Sequence, residues 1–545
     1  MFRGDVMSNS VQRTKSIGIV SIFLLSLFVA MATTVTPVSA VNETKSGTIT
    51  GTETWTGGHN LDGDILVAGG AKLIINAGTT IQMPAGSNIN IQGSICAGDS
   101  ACGASQASTG SPIRFIWADA PASNQTGRCY VTGIWNPDLS CGEGIYIDST
   151  IDQAATKMNF IVLDGAYGIP IDITGQGNVK YGALILDGAS LSITNPSFTD
   201  INTTNVLAIN GASPTLSDGT FTVGVDGEGY QGAAIQAYGA GAGLVVMQIL
   251  DSAFTGNDAD CGAQGGGRSA IYMEDSFVRM DTISVTQNSY GAFLRSSSGY
   301  LTNSTMNIKC NAIDTNNHLT TGTTSYTFYI EDNQITTEEG AGITAYDEAI
   351  VVANKNTISG ASEGSGFNIR SSFVTANDNT IGPIGGWNGF WIYGEADVSA
   401  ENNTIMDTGK EPVLIGEYHY RDQGWNVPSP SKARIYFANN QISNNSGTCN
   451  SDYMYGGDFP CPAFHVFMTS GSFIGNTVTN SNGDGFRIKG GIVNAQGNTI
   501  STAGAFAANI SQFDDNYGNK YGSIAYFNGN TYSGASQVYN VTESR

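Results

Sequence analysis

Apolar and polar residues alternate in short bursts along most of the chain, and the bursts return at near-constant intervals. The clearest marker is Asn-x-Ile/Val: Asn333-Gln-Ile335, Asn356-Thr-Ile358, Asn379-Thr-Ile381, Asn403-Thr-Ile405, Asn440-Gln-Ile442, Asn476-Thr-Val478 and Asn498-Thr-Ile500, closed by Asn530-Thr-Tyr532. Its steps are 23, 23, 24, 37, 36, 22 and 32 residues. The long steps read as one coil plus an inserted loop. Upstream, the Ile slot is assigned to Phe198, Phe221, Phe254, Ile283 and Met306, and Leu163-Asp-Gly-Ala recurs 23 residues on at Leu186-Asp-Gly-Ala. After each of the six markers from Asn356 to Asn498 comes an i, i+2 apolar pair: Phe367/Ile369, Phe390/Ile392, Val413/Ile415, Phe464/Val466, Phe486/Ile488 and Ala508/Ile510.

A period of two means short strands with one buried face. Gly and Asn between them allow left-handed corners. Strands of this kind every 22–24 residues predict an all-β, single-stranded parallel β-helix solenoid of roughly 18–20 coils, each about 4.8 Å above the last. The repeated Asn is expected to form a hydrogen-bonded ladder at one corner. A β-sandwich would not hold a constant coil length.

Composition narrows the class. The chain has 545 residues, only 13% of them charged, with 70 Gly and 14 Pro. Low charge with 40% hydrophobic residues argues against disorder, and glycines without a period of three exclude collagen. Lys+Arg number 23 against 46 Asp+Glu, net −23, which excludes nucleic acid as a partner.

Residues 1–40 have a basic head, an apolar run from Ile17 to Met31 and Val38-Ser39-Ala40, the layout of a secretory signal peptide. An uncleaved anchor is the alternative. The expected organisation is a signal over 1–40, an N-terminal cap with the first coils over 41–155, and the repeat domain over 156–545. Eight cysteines fall into neighbours: Cys96 with Cys102, Cys129 with Cys141, Cys261 with Cys310, and Cys449 with Cys461. This reads as four loop disulfides of an exported protein. Asn42, Asn124, Asn202, Asn303, Asn402, Asn444, Asn509 and Asn540 head Asn-x-Ser/Thr glycosylation sequons.

The Asn-x-Ile…Gly-Phe/Ile repeat over 156–535 and the opening Ile65–Ile81, Ile89–Ile95 and Pro112–Phe115 segments resemble the right-handed parallel β-helix proteins of exported and cell-surface type, with the pectate-lyase-like fold. The resemblance implies the fold over about nine-tenths of the mature chain. It implies little about activity, because that fold hosts polysaccharide lyases, hydrolases, epimerases, adhesins and structural proteins.

Catalytic motifs are sparse. Histidines are His59, His318, His419 and His465, without a His-Glu-x-x-His string. Gly360-Ala-Ser-Glu-Gly364 matches Gly-x-Ser-x-Gly but lies at a coil corner. Arg487-Ile-Lys489 resembles a string of polygalacturonase-type hydrolases, whose paired aspartates and Gly-His-Gly are missing upstream of it. Calcium is a candidate cofactor at Asp62-Gly-Asp64, Asp258-Ala-Asp260 or Asp514-Asp515, and no other cofactor is indicated.

The outward side of the Phe390 strand is the most informative place. With Phe390 and Ile392 inward, Trp391 and Tyr393 point outward. The same alternation turns Phe293 and Arg295, Asn368 and Arg370, His465 and Phe467, and Arg487 and Lys489 to solvent in one column. A loop with Glu417, Tyr418, His419, Tyr420 and Trp425 lies beside it. Aromatic rings stack on sugars, and Arg or Lys attracts carboxylates and sulfates. The candidate glycan face is therefore Arg295, Arg370, Trp391, Tyr393, Tyr418, His419, Trp425, His465, Arg487 and Lys489. The expected role is structural or adhesive, at the cell surface or secreted, with an extended polysaccharide as partner. The alternative is a polysaccharide lyase or glycoside hydrolase. A solenoid end needs covering, so a capping partner or self-association is expected at the C-terminal end.

Overall fold

The asparagine spacing becomes a vertical ladder. In the computed structural model, Asn333, Asn356, Asn379, Asn403, Asn440, Asn476, Asn498 and Asn530 stack one coil above another. The structure describes residues 43–118, 130–131, 134–135, 142–173, 179–201, 203–223, 233–239, 243–256, 261, 269–317, 326–416, 433–445, 447–449, 459–502, 506–514, 520–535 and 537–542. The expected signal peptide lies outside these residues.

Each interior rung, from Asn356 to Asn498, uses the whole carboxamide. Asn379 Nδ2 donates to the Ala353 carbonyl at 2.8 Å and to Asn403 Oδ1 at 2.9 Å. Its Oδ1 accepts from the backbone N–H and the side chain of Asn356, at 2.9 and 3.0 Å. Both N–H groups and both lone pairs are thus satisfied in the dry interior, where an unmade bond is costly. Each rung follows a left-handed residue: Asp332, Lys355, Asp378, Asn402 and Asn439 have φ of 55–58°, and Gly475, Gly497 and Gly529 take the later corners. Higher in the same corner, Ser304 and Ser252 replace asparagine and accept the backbone N–H of Ile283 and Gly219.

Three strands make a coil of this right-handed parallel β-helix. One coil runs through Phe373–Asn377, turns at the ladder into Thr380–Ile384, and turns again into Phe390–Tyr393. Repeated, these build faces one, two and three. Face one stacks from Thr52–Trp55 to Ile524–Asn528. Face two ends at Thr531–Ser533, and face three at Gln537–Thr542. Faces two and three merge in a 35-stranded sheet because Gly58–Val67 pairs with both Thr80–Met83 and Asn88–Ile91. Pairing is parallel except in short excursions such as Ile169–Asp172, which folds back antiparallel on Val179–Asp187. The ladders run unbroken across residues 155/156: Lys157 pairs with Cys96 and Ile161 with Ile113.

The core is a set of in-register apolar columns. Met306, Ile335, Ile358, Ile381, Ile405, Ile442, Val478 and Ile500 pair successively on face two, and all are buried. Phenylalanines on adjacent coils stack at about the interstrand spacing: Phe367–Phe390 at 4.7 Å, Phe464–Phe486 at 4.8 Å and Phe221–Phe254 at 4.9 Å. Two assignments differ from the expected pattern. The partner of Phe254 and Met306 is Val285, because Ile283 sits two residues earlier, in the corner. Leu163 and Leu186 belong to different faces: Leu163 pairs with Phe115 and Phe198, and Leu186 with Ile147 and Ala208. Their spacing of 23 is therefore not a coil repeat.

Of the four expected disulfides, the described residues contain three, not four: Cys96–Cys102, Cys261–Cys310 and Cys449–Cys461. The fourth expected bridge is not among them, because Cys129 lies outside the described residues and Cys141 lies outside them too. Among the described residues no helix is long and apolar enough to cross a membrane. The sequons at Asn303, Asn402 and Asn444 are exposed at corners, while Asn509 and Asn540 are half-buried and bonded to each other. Asn42, Asn124 and Asn202 lie outside the described residues.

Candidate functional site

The outward side of face three carries the predicted side chains in two columns. The first runs Tyr272, Phe293, Asp314, Thr344, Asn368, Trp391, Leu414, His465, Arg487 and Asn509. The second begins Glu274, Arg295, Asn316, Tyr346, Arg370 and Tyr393. Phe467 and Lys489 continue on the coils that hold His465 and Arg487. Alternation along each strand therefore brings Arg295, Arg370, Trp391, Tyr393, His465, Arg487 and Lys489 to one side. Tyr418, His419 and Trp425 lie outside the described residues.

The face is not openly solvated throughout. His465, Phe467 and Tyr393 are buried, at 0%, 1% and 7% exposure, which corrects the expectation that they face solvent. At the N-terminal end of the face, Tyr146, Ile169, Ile185, Leu207, Ile209 and Tyr238 form a second apolar cluster outside the tube. The folded-back Ile169–Asp172 strand supplies part of its cover.

Ring orientation changes the chemistry. Tyr272 and Phe293 stack one coil apart at 5.5 Å and 1°. Trp391 and Tyr393, neighbours on one strand face, stack at 4.8 Å and 26°. Trp387 closes on Trp391 at 5.2 Å, and the Lys410 ammonium sits 4.5 Å from the Trp387 ring centre. The rings occupy much of one another's faces, so they present edges rather than free platforms, and the Trp391 indole nitrogen is buried.

Polar groups interleave with these rings. Arg370 Nη2 reaches Asp347 Oδ1 at 2.7 Å, and its guanidinium lies 4.9 Å from the Tyr346 ring centre. Asn368 donates to the Tyr346 hydroxyl at 2.8 Å. Three coils nearer the N-terminus, Arg295 faces Glu274 at 3.7 Å, while the Tyr272 hydroxyl donates to Glu274 at 2.8 Å. Burial pushes the Tyr272 and Tyr346 hydroxyls above the ordinary phenol range, with Glu274 and Tyr393 respectively adding to the rise. They remain neutral donors at physiological pH.

Two carboxyls sit deeper. Asp314 accepts hydrogen bonds from Thr344 and Asn311, yet burial pushes its pKa up to about 6. Glu411 is held between Asn388 and His465: Asn388 donates to its Oε2 at 3.1 Å, and His465 Nδ1 lies 3.0 Å from Oε1. Burial alone would raise the Glu411 pKa, but the His465 hydrogen bond and charge take it below the usual value. Glu411 also approaches the sulfurs of Cys449 and Cys461, but these are joined as a disulfide and offer no thiolate pair to a metal. Next along, the Arg487 guanidinium lies 3.8 Å from the Phe459 ring centre. Burial raises the Asp484 pKa against the pull of Asn509 and Arg487.

Of the calcium candidates, Asp64 already accepts the Asn88 backbone N–H at 2.8 Å. Asp258, Asp260 and Asp515 lie outside the described residues. Sequence reasoning missed Tyr346, Asp347, Asp314, Trp387 and Glu411. The first three lie one or two coils before Arg370. Tyr346 and Asp347 lie 24 and 23 residues before Arg370, within the coil spacing, whereas Asp314 lies a further 30-residue step before Thr344, so counting coils of 22–24 does not land on it. Trp387 and Glu411 sit in the turns that enter face three.

A family model described as "Right handed beta helix region" matches residues 269–420. No curated protein matches the chain. Among solved structures, the chain is similar to the A-module of the mannuronan C-5 epimerase AlgE4 of Azotobacter vinelandii, at 14% identity, covering 74% of this chain and 91% of that one, TM-score 0.33. It is similar to a mutant tailspike protein of E. coli bacteriophage HK620 in complex with a hexasaccharide, at 12% identity, covering 86% and 71%, TM-score 0.38. The periplasmic alginate epimerase AlgG matches at 12% identity, covering 56% and 75%, TM-score 0.28.

Proposed function

We propose that this right-handed parallel β-helix protein binds an extended polysaccharide along the outward side of face three, in a structural or adhesive role outside the cell. The observation that carries the reading is the in-register stripe itself. From Tyr272 to Tyr393 each coil adds hydrogen-bonding or aromatic groups about 4.8 Å beyond the last, a repeat suited to a linear polymer. Export is supported by the three disulfides, which persist in oxidising compartments.

The grip is chiefly hydrogen bonding, through the half-buried Asn368, Arg370 and Asp347, with the Trp387 and Trp391 rings packed beside them. Trp391→Ala is the test. It removes the ring between Trp387 and Tyr393 without opening the tube. Retention on a glycan array should fall at least about tenfold, a loss of about 1.4 kcal/mol, with unchanged thermal unfolding. Unchanged retention would remove this stripe from consideration.

One observation favours hydrolysis as a second reading. A carboxyl with a pKa of about 6, as at Asp314, falls in the range of a general acid. Release of reducing ends, abolished in Asp314→Asn, would establish it. Unsaturated products absorbing in the ultraviolet would instead indicate a lyase.

A further inference from the structure

We infer that the polysaccharide held on face three is neutral and hydroxyl-rich, in place of the uronic or sulfated glycans that the arginines and lysines alone would suggest; this rests on the glycan-binding reading above and specifies its ligand class. Two arginines of the stripe are already paired with carboxylates, and two further cations lie against rings. Arg370 has Asp347 at 2.7 Å and the Tyr346 ring beneath it. Arg295 has Glu274 at 3.7 Å. Arg487 covers the Phe459 ring with Asp484 nearby, and Lys410 covers Trp387.

Two of these pairs are open to solvent. Side-chain exposures are 34% for Arg370 and 46% for Asp347, against 34% for Arg295 and 26% for Glu274. Arg295 and Arg370 occupy one column, with Asn316 and Tyr346 as the rungs between them. The two pairs therefore repeat along the axis three coils apart, roughly 14 Å at the interstrand spacing.

A sugar hydroxyl donates one hydrogen bond and accepts others. A guanidinium beside a carboxylate offers donors and an acceptor side by side, which suits hydroxyls that need both. The carboxylate that distinguishes a uronate offers acceptors only. At Arg370 it would share the guanidinium with Asp347, and at Arg295 with Glu274, which brings two anions side by side. The chain's net charge of −23 also opposes a polyanion at longer range, out to a Debye length of about 10 Å in ordinary buffer.

The experiment compares retention of the whole protein on neutral glucans, mannans and galactans with retention on alginate and polygalacturonate, at low and high salt. Expected is retention on a neutral polymer that changes less than about twofold with salt, since no net charge is exchanged. Asp347→Asn then takes the carboxylate away from Arg370. Asn keeps the side-chain shape and tolerates the left-handed backbone, φ 52°, found at this position. This variant should lose neutral retention and gain at least about tenfold on the uronans, or 1.4 kcal/mol.

Wild-type protein that prefers uronans, or retention that collapses with salt, would overturn the ligand class while leaving glycan binding in place. An Asp347→Asn variant that gains nothing on uronans would overturn it as well. Retention on no glycan at all would remove both readings.

Discussion

The carboxamide oxygen of Asn356 accepts two hydrogen bonds from Asn333 one coil above, from the backbone N–H at 3.1 Å and from Nδ2 at 2.9 Å. The relation repeats down to Asn530, so one side chain ties three coils together. Asn379→Ala removes two donors and the acceptor of two more bonds from a buried corner. At about 1–3 kcal/mol per stranded buried group, the variant should lose about 3 kcal/mol or more in urea unfolding. Asn530→Ala, at a half-buried rung, should lose distinctly less. Equal losses would show that the ladder is not cooperative in the way the geometry implies.

The stacked rings give a second measure of the core. Phe390 is fully buried, stacks on Phe367 at 4.7 Å and meets Phe437 edge-on at 5.3 Å. Phe390→Ala should cost about 3–5 kcal/mol. Phe373→Ala, on the outward side of face one and 48% exposed, should stay within about 0.5 kcal/mol. Thermal unfolding of the pair reads the difference directly.

Asp314 and Glu411 bend the pH dependence in opposite senses. Asp314 has its folded pKa raised to about 6. Between the unfolded value of about 3.9 and that folded value the folded state holds the extra proton, so its contribution to stability falls as pH rises. Asp314→Asn should therefore gain on the wild type between about pH 4 and pH 7. The folded pKa of Glu411 is depressed, mainly by His465 acting against burial. Its contribution is present above the unfolded value of about 4.3 and is lost as pH falls through the lower folded value. Glu411→Gln should accordingly cost most near neutrality and least in acid. Denaturation midpoints across pH, each variant against wild type, check both signs.

The disulfides should rank by the loops they close. Cys261–Cys310 spans 49 residues and Cys449–Cys461 spans 12. In the chain-entropy account their removal costs about 4 and about 3 kcal/mol respectively. Paired Cys→Ser variants in urea unfolding would read this order, and a reversal would show that native packing around Glu411 outweighs chain entropy at the shorter bridge.

Alternation of apolar residues and the Asn-x-Ile marker by themselves determine that this chain winds as a parallel solenoid and that its asparagines line one corner. Both follow from local rules. A period of two sets the inward side chain, and a buried amide needs partners above and below. Register between coils is different, because it depends on how many residues each corner and loop consumes. Val285 rather than Ile283 completes the column of Phe254 and Met306, and Leu163 and Leu186 fall on separate faces despite their identical neighbours. The outward stripe shows the same division. Alternation placed Arg370 and Trp391 outside, but only folding decided that Asp347 would neutralise Arg370, that Glu411 would meet His465 across 54 residues, and that His465 would be covered. A side chain's direction is set by its own strand, whereas its partners and its exposure are set by chain brought in from elsewhere.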